Sequence, residues 1–298
     1  MIALRQVRKS FGGRPVLDGL DLRVGRGEIY GLLGPNGCGK STSINLICGR
    51  LQAEAGSIEV DGSPATVAGA AWLGVVTQDV ALYPDLSCRQ NLEFFACLYG
   101  LDRTTRRARV EQVLQELELV PYADQPAVEL SGGWRRRLHV AIGVVHRPRL
   151  LILDEPTASV DLAARHALWQ VIRRQRDRGT TVLLTTHHLD EAEQLCDRIG
   201  ILHRGRLLVE DTPAGIRATV PAEQIAVLDA ADLQPLRARA DALGLRSREY
   251  GGRLGVLLPS AQSLAATVHS FEGLELRSLA LNPVNLEHAY LQLLDAAA

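Results

Sequence analysis

The stretch GPNGCGKST, residues 34–42, constrains the fold of this chain more than any other. It follows the apolar run GEIYGLL and opens a helical pattern, so it reads as a tight turn between a buried strand and a helix. Gly34, Gly37 and Gly39 give the backbone freedom to adopt positive φ and to approach a ligand closely. The spacing fits G-x-x-x-x-G-K-[ST], in which loop N–H groups cradle phosphate at the positive end of the following helix. Of the 33 lysines and arginines, only Lys9 and Lys40 are lysine. A compact ammonium fits between a β- and a γ-phosphate where the wide guanidinium fork does not. Ser41 offers a hydroxyl to Mg²⁺, and Asn36, Cys38 and Thr42 complete the loop's nucleotide-binding set.

Composition supports a large packed core. The 298 residues are 46% hydrophobic and 22% charged, and the net charge of −1 gives no bulk attraction to nucleic acid or anionic lipid. Five cysteines, with no CxxC pairing and no signal peptide before them, read as reduced thiols of a cytosolic protein. The uncharged apolar runs HVAIGVV and LLIL fall far short of the ~20 residues that span a bilayer. The chain itself is not expected to cross a membrane.

Through residue 215 or so, short apolar runs alternate with helical patterns. GEIYGLLGP, AWLGVVTQ, RLLILDEP and TTVLLTTHH lack strict alternation, which suits strands buried on both faces of a parallel or mixed sheet. Helices are expected near 39–51, 87–99, 104–118, 132–147, 162–178 and 188–197. The fold class is α/β, with a nucleotide-binding domain over 1–215 and a helical subdomain at about 80–145. Two prolines and a glycine within 210–224 predict a linker. Beyond it come the strand IAVLDA, a helix at 232–243, a hairpin turning at Gly251-Gly252, a helix at 261–271 and the strand LELRSLAL. That βαββαβ order predicts a small α+β ferredoxin-like module over 216–298, ending in the helix NLEHAYLQLLDA.

RLLILDEP supplies the carboxylates that a phosphate loop needs. Asp154, at the end of an apolar strand, can hold Mg²⁺ directly or through water. Glu155, next along, can act as general base toward an attacking water.

The string ELSGGWRRRL, 129–138, resembles the LSGGQ signature of ATP-binding cassette (ABC) ATPases. The order of phosphate loop, glutamine, signature, Asp-Glu pair and histidine resembles that family throughout residues 1 to about 215. The resemblance implies ATP and Mg²⁺ as cofactors. It implies that Phe11 stacks on adenine and that Gln78 senses Mg²⁺ and a transporter interface. It implies that Ser131, Gly132 and Gly133 contact the γ-phosphate held by a second copy. Asp161 would communicate between the two sites, and His187 would hold the γ-phosphate and the catalytic water. A serine N-cap followed by two glycines also leaves helix N–H donors and a positive dipole end facing outward, as such contact requires. Other readings stand beside these: Phe11 as a core aromatic of a first hairpin, Gln78 as a strand end, and His188 as a surface residue at a helix start.

Three departures from the family pattern stand out. Trp134 replaces the signature glutamine, Val160 lies in the loop before Asp161, and Cys38 stands where alanine is frequent. A thiol beside Lys40 and a helix N-terminus is expected to have a lowered pKa and to react with maleimide unless Mg-ATP shields it. An inert filler role is the alternative.

YPDLSCRQNLEFFACLYGLD, DEPTASVDLAAR and LNPVNLEHAYLQLL resemble segments of ATPases that serve ABC-2-type exporters. That resemblance implies a motor subunit, pairing with a second copy around two Mg-ATP and driving a separately encoded integral-membrane permease. The expected location is the cytoplasmic face of the inner membrane, and the expected cargo a drug, antibiotic or lipid-like molecule. Leu92, Phe94, Phe95, Leu98 and Tyr99 either form subdomain core or line a groove for a permease helix. Arg135, Arg136 and Arg137 read as a solvated helix face, and no nucleic-acid partner is expected. The rival reading is a non-transport cytosolic ABC ATPase acting on ribosomes or DNA. It would bring a second such domain with a charged linker or a long coiled coil, and neither pattern is present.

Overall fold

The computed structural model describes residues 1–65, 72–158 and 160–297. The chain divides into two compact units, Met1–Pro213 and Ala214–Ala298. The first unit opens with β1 (Ile2–Phe11), β2 (Arg14–Val24), β3 (Ile29–Leu33), α1 (Lys40–Ile47), β4 (Ala55–Val60), β5 (Ser63–Pro64) and β6 (Leu73–Val76). Three helices follow: α2 (Cys88–Leu98), α3 (Arg103–Glu116) and α4 (Gly132–Val144). It continues with β7 (Leu150–Asp154), α5 (Leu162–Asp177), β8 (Thr181–Thr186), α6 (Leu189–Leu195), β9 (Arg198–His203) and β10 (Arg206–Asp211). A short helix, α7 (Pro213–Arg217), lies at the boundary.

A six-stranded mixed sheet runs β10-β9-β3-β8-β7-β6, parallel except for β10. Every residue of β3, β7 and β8 is buried, because layers on both faces exclude water and reward Leu, Ile and Val at each position. Since β3, β8 and β7 are parallel neighbours, their C-terminal ends reach one edge of the sheet together. In such sheets the crevice beyond that edge is where ligands bind. A second, antiparallel sheet, β2-β1-β4-β5, shares a core with α1 and the large sheet through Leu4, Val7, Leu20, Ile44, Leu46, Ile152 and Leu183.

The helical part is built on caps. Ser87 and Gln90 form a reciprocal capping box at the start of α2, and Asp102 caps α3 by accepting from the N–H groups of Thr104 and Thr105. Asn91, fully buried, accepts from the Tyr83 N–H and donates to the carbonyls of Tyr83, Leu86 and Ser87, fixing the loop before α2. Of the apolar residues on α2, Leu92 is core, whereas Phe94 and Leu98 are 42% and 69% exposed.

The second unit contains β11 (Gln224–Asp229), α8 (Gln234–Ala242), β12 (Ser247–Tyr250), β13 (Arg253–Leu258), α9 (Leu264–Ser270), β14 (Ser278–Pro283) and α10 (Leu286–Ala296). Its four-stranded sheet runs β12-β13-β11-β14 with every neighbour antiparallel, a βαββαβ arrangement closed by a last helix. Gly251 and Gly252, with φ of 51° and 79°, make the β12–β13 turn. Its own core gathers Leu228, Leu236, Leu254, Val256, Leu258 and Phe271.

The structure departs from the sequence reading in two places. The antiparallel strands β1, β2 and β4 escape a search for dense apolar runs, because polar residues interrupt their apolar positions, and the sequence reading also leaves out the β9–β10 hairpin, although residues 199–202 of β9 are all buried. The segment 210–224 is not plain linker, since it holds the end of β10 and the helix α7, and the units divide between Pro213 and Ala214. Among the described residues, no helix is long and apolar enough to cross a membrane.

Candidate functional site

The loop between β3 and α1 closes because glycine stands at its two tightest points. A Cβ on Gly34 would lie 2.3 Å from the Leu202 carbonyl oxygen and 2.6 Å from Cys38 Sγ. At Gly39, where φ is 114°, a Cβ would lie 2.6 Å from Leu17 Cδ2. α1 then begins at Lys40 with no side chain capping its first N–H groups, which leaves donors and the positive dipole end for an anion. Lys40 is 6% exposed. Its Nζ donates to the carbonyls of Gly34 at 2.8 Å and Pro35 at 3.3 Å, and lies 4.0 Å from Glu155 Oε1. Asn36, Gly37 and Ser41 are exposed at the rim, and Thr42 is half-buried.

β7 delivers the two carboxylates. Asp154 Oδ1 accepts from Thr185 Oγ1 at 2.5 Å, a bond from the neighbouring strand that holds the carboxylate in place. Glu155 takes a left-handed backbone, φ 49°, unusual outside glycine and costing ~1–3 kcal/mol unless its surroundings enforce it. They do so here: its N–H is bound by Thr185 O at 3.1 Å and Thr185 Oγ1 at 3.2 Å. The turn aims Glu155 Oε1 at His187 Nδ1, 3.1 Å away. Lys40, Glu155 and His187 thus converge on one carboxylate oxygen. His188 instead N-caps α6, its ring tilted against that of His187.

A second group forms where α4 and α5 begin. Ser131 is the exposed N-cap of α4, and its hydroxyl makes no capping bond. Space is open around Gly132, while a Cβ on Gly133 would press to 3.3 Å from Ala164 Cβ and lie 4.0 Å from Asp161 Oδ2. Asp161 N-caps α5, accepting from the Ala164 N–H at 2.8 Å. Trp134 packs on Tyr122 with ring centroids 4.4 Å apart and carries the Arg137 guanidinium 4.3 Å from its ring. Gln78 is exposed just after β6. Phe11 is 47% exposed at the end of β1, with Lys9 Nζ 5.5 Å from its ring, so it is not a core aromatic.

Two expectations are corrected. The arginine run is not a solvated face: Arg135 is exposed, but Arg136 and Arg137 are 3% and 8% exposed. Arg137 donates to the Leu117 carbonyl and to Glu118, and Arg136 serves carbonyls at the ends of β6 and β7. Sharp turns leave carbonyls without ladder partners, and a buried guanidinium satisfies them. The stripe Arg136, Val140, Gly143 at helical spacing was the signal that could have placed Arg136 inside. Cys38, 5% exposed, has its thiol pKa pushed up by burial, which outweighs the nearby Lys40 ammonium. Sequence reading also passed over Glu191, fully buried, whose Oε1 accepts from Thr157 Oγ1 at 2.8 Å and Trp169 Nε1 at 3.0 Å. It pins the turn after Glu155 to α5.

The family model described as ABC transporter matches residues 17–158. A Nod factor export ATP-binding protein I from Paraburkholderia xenovorans (strain LB400) is 38% identical over 296 residues, covering 98% of this chain and 96% of the relative. A linearmycin resistance ATP-binding protein from Bacillus subtilis (strain 168) is 35% identical over 215 residues, covering 71% of this chain and 69% of the relative. Among solved structures, the ATP binding subunit of an ABC transporter superposes with a TM-score of 0.67 at 29% identity, covering 74% of this chain and 92% of that one. A dimeric ATP-binding cassette in a post-hydrolysis state, bound to ADP and Pi, gives 0.65 at 25% identity, covering 71% and 98%. The chain therefore belongs to the ABC transporter family, as an ATP-binding subunit whose ATP hydrolysis is coupled to transport.

Proposed function

We propose that two copies of this chain pair head to tail around two Mg-ATP and drive a separate integral-membrane permease that exports a drug, antibiotic or lipid-like molecule. One observation carries the pairing. The N-terminus of α4 offers an uncapped serine hydroxyl and free glycine N–H groups to solvent, while the chain's own phosphate loop is already served by Lys40. A donor surface that its own chain does not use suits a phosphate held by another copy. The names of the relatives, Nod factor export and linearmycin resistance, support export.

In this reading Lys40 leaves the Gly34 and Pro35 carbonyls and takes up β- and γ-phosphate oxygens. Ser41, Asp154 and Gln78 would hold Mg²⁺, since one carboxylate with neutral oxygens suits a hard cation. Held there, Mg²⁺ would supply positive charge beside the phosphates. Glu155, poised beside His187, accepts the proton of the water that attacks the γ-phosphorus, and ADP departs. His187 orients that water and the γ-phosphate, Phe11 stacks on the base, and Asp161 relays between the two sites. The motor sits peripherally on the cytoplasmic face of the inner membrane, where its permease is. A face with Tyr83, Phe94 and Leu98 exposed is where the permease docks.

Glu155→Gln keeps ATP binding, stops turnover and traps a dimer in Mg-ATP. Size-exclusion chromatography reads this directly, and a monomer at saturating Mg-ATP refutes the reading. Lys40→Ala weakens nucleotide binding at least about tenfold, a loss of ~1.4 kcal/mol, in a fluorescence titration.

A further inference from the structure

Arg136 lies five residues after Ser131, about 7–8 Å farther along α4, and it is 3% exposed. Its guanidinium reaches five backbone carbonyls. Nε donates to Pro156 O at 2.7 Å, and Nη1 to Thr77 O at 2.9 Å and Gln78 O at 2.8 Å. Nη2 donates to Asp154 O at 3.0 Å and Glu155 O at 2.6 Å. The planar fork carries five N–H donors, whereas an ammonium carries three and cannot span both segments. Burial lowers the Arg136 pKa, and the nearby carboxylates Asp154, Glu191, Glu155 and Asp79 oppose that shift.

One side chain therefore clamps the end of β6, where Gln78 stands, to the turn that carries Glu155. The left-handed Glu155 is held at its N–H by Thr185 and at its carbonyl by Arg136. The same helix presents Ser131 and Gly132 outward at its N-terminus, little more than one turn before Arg136.

We propose that Arg136 is a positioning residue that couples the two nucleotide sites, by making the signature helix move as one piece with the Gln78 and Glu155 backbone of its own chain. The inference rests on the two-copy reading above. When Ser131 and the glycines close on the nucleotide of the partner copy, the clamp carries that displacement to Glu155, which serves the other nucleotide. A static contact would keep each site independent; this one makes occupancy of one site set the catalytic geometry of the other.

The test uses the full chain. Wild-type ATPase activity is cooperative in ATP, with a Hill coefficient approaching about 2, the number of sites. Arg136→Lys lowers kcat by about 10²-fold, the effect of misplacing a reacting group by ~1 Å, and brings the coefficient to about 1. ATP affinity by fluorescence titration stays near wild type, the thermal midpoint falls because buried carbonyls lose their donors, and the Glu155→Gln, Arg136→Lys double variant still elutes as a dimer in Mg-ATP. Wild-type kcat and cooperativity in Arg136→Lys overturn the proposal. So does a fall of ATP affinity in step with kcat, which marks a residue that only stabilises the fold. A wild-type coefficient of 1 overturns it whether or not any variant folds. A Glu155→Gln chain that stays monomeric removes the two-copy reading itself, whereas a chain that pairs without cooperativity removes only the role given to Arg136.

Discussion

Cys38 shows how far one residue's chemistry depends on its surroundings. Its neighbours in sequence, Lys40 and a helix N-terminus, favour a thiolate, but the closed loop leaves the sulfur too little water to support the charge. Cys48, Cys88 and Cys196 are buried as well, and Cys97 is exposed. In the native chain a maleimide therefore modifies Cys97 within minutes and the other four thiols only as the protein unfolds. Mass spectrometry of the native protein checks this, and Cys38 labelling as fast as Cys97 counts against it. The placement of Lys40, Asp154 and Glu155 was legible in the sequence because each sits in a local string that fixes a strand end or a helix start. Arg136 was not, since what makes it matter is a set of carbonyls contributed by residues 77, 78 and 154–156.

α4 concentrates the element-scale consequences. Besides the clamp, it carries His139, 3% exposed and with Nδ1 lacking a hydrogen-bond partner among the described residues, and His146 follows just after its end, stacked on Tyr99. Burial, with help from the Arg136 charge, lowers the His139 pKa to about 4. Burial also lowers that of His146 to about 4, against a Leu73 carbonyl that raises it and alongside Arg109, which lowers it. An unfolded imidazole gains its proton near 6.5, whereas these stay neutral in the folded chain until about 4. Acid therefore favours the unfolded state: stability is full above about pH 6.5 and falls as pH drops toward 4, by on the order of 2 kcal/mol per histidine at about pH 5. Urea unfolding at about pH 7.5 and 5 measures the difference, and His139→Phe removes roughly half of it. An unchanged slope in that variant assigns the effect elsewhere. Strands and helices differed in legibility for a related reason. β3, β7 and β8 announce themselves because both faces are covered, while β1, β2 and β4 interleave polar and apolar residues as sheets covered on one face do.

The whole molecule is two units with separate cores, so its thermal unfolding is not a single two-state transition. ATP bound to the folded first unit stabilises it by about 2.7 kcal/mol at a hundred times its Kd. Calorimetry then shows one transition moving upward with nucleotide and another unmoved. Both moving together places the nucleotide's effect across both units. The sequence by itself determined the glycine-rich strand–loop–helix, the carboxylates at the end of β7 and the exposed serine-glycine helix start. Each of these depends on residues adjacent in the chain, so composition and spacing carry the physics. Tertiary structure alone decided that the Cys38 thiol is shut away from water, which carbonyls Arg136 serves and that Lys40, Glu155 and His187 meet at one oxygen. Solvation and hydrogen-bond partners there come from elements far apart in sequence, and they exist only once the sheet has brought its strand ends together.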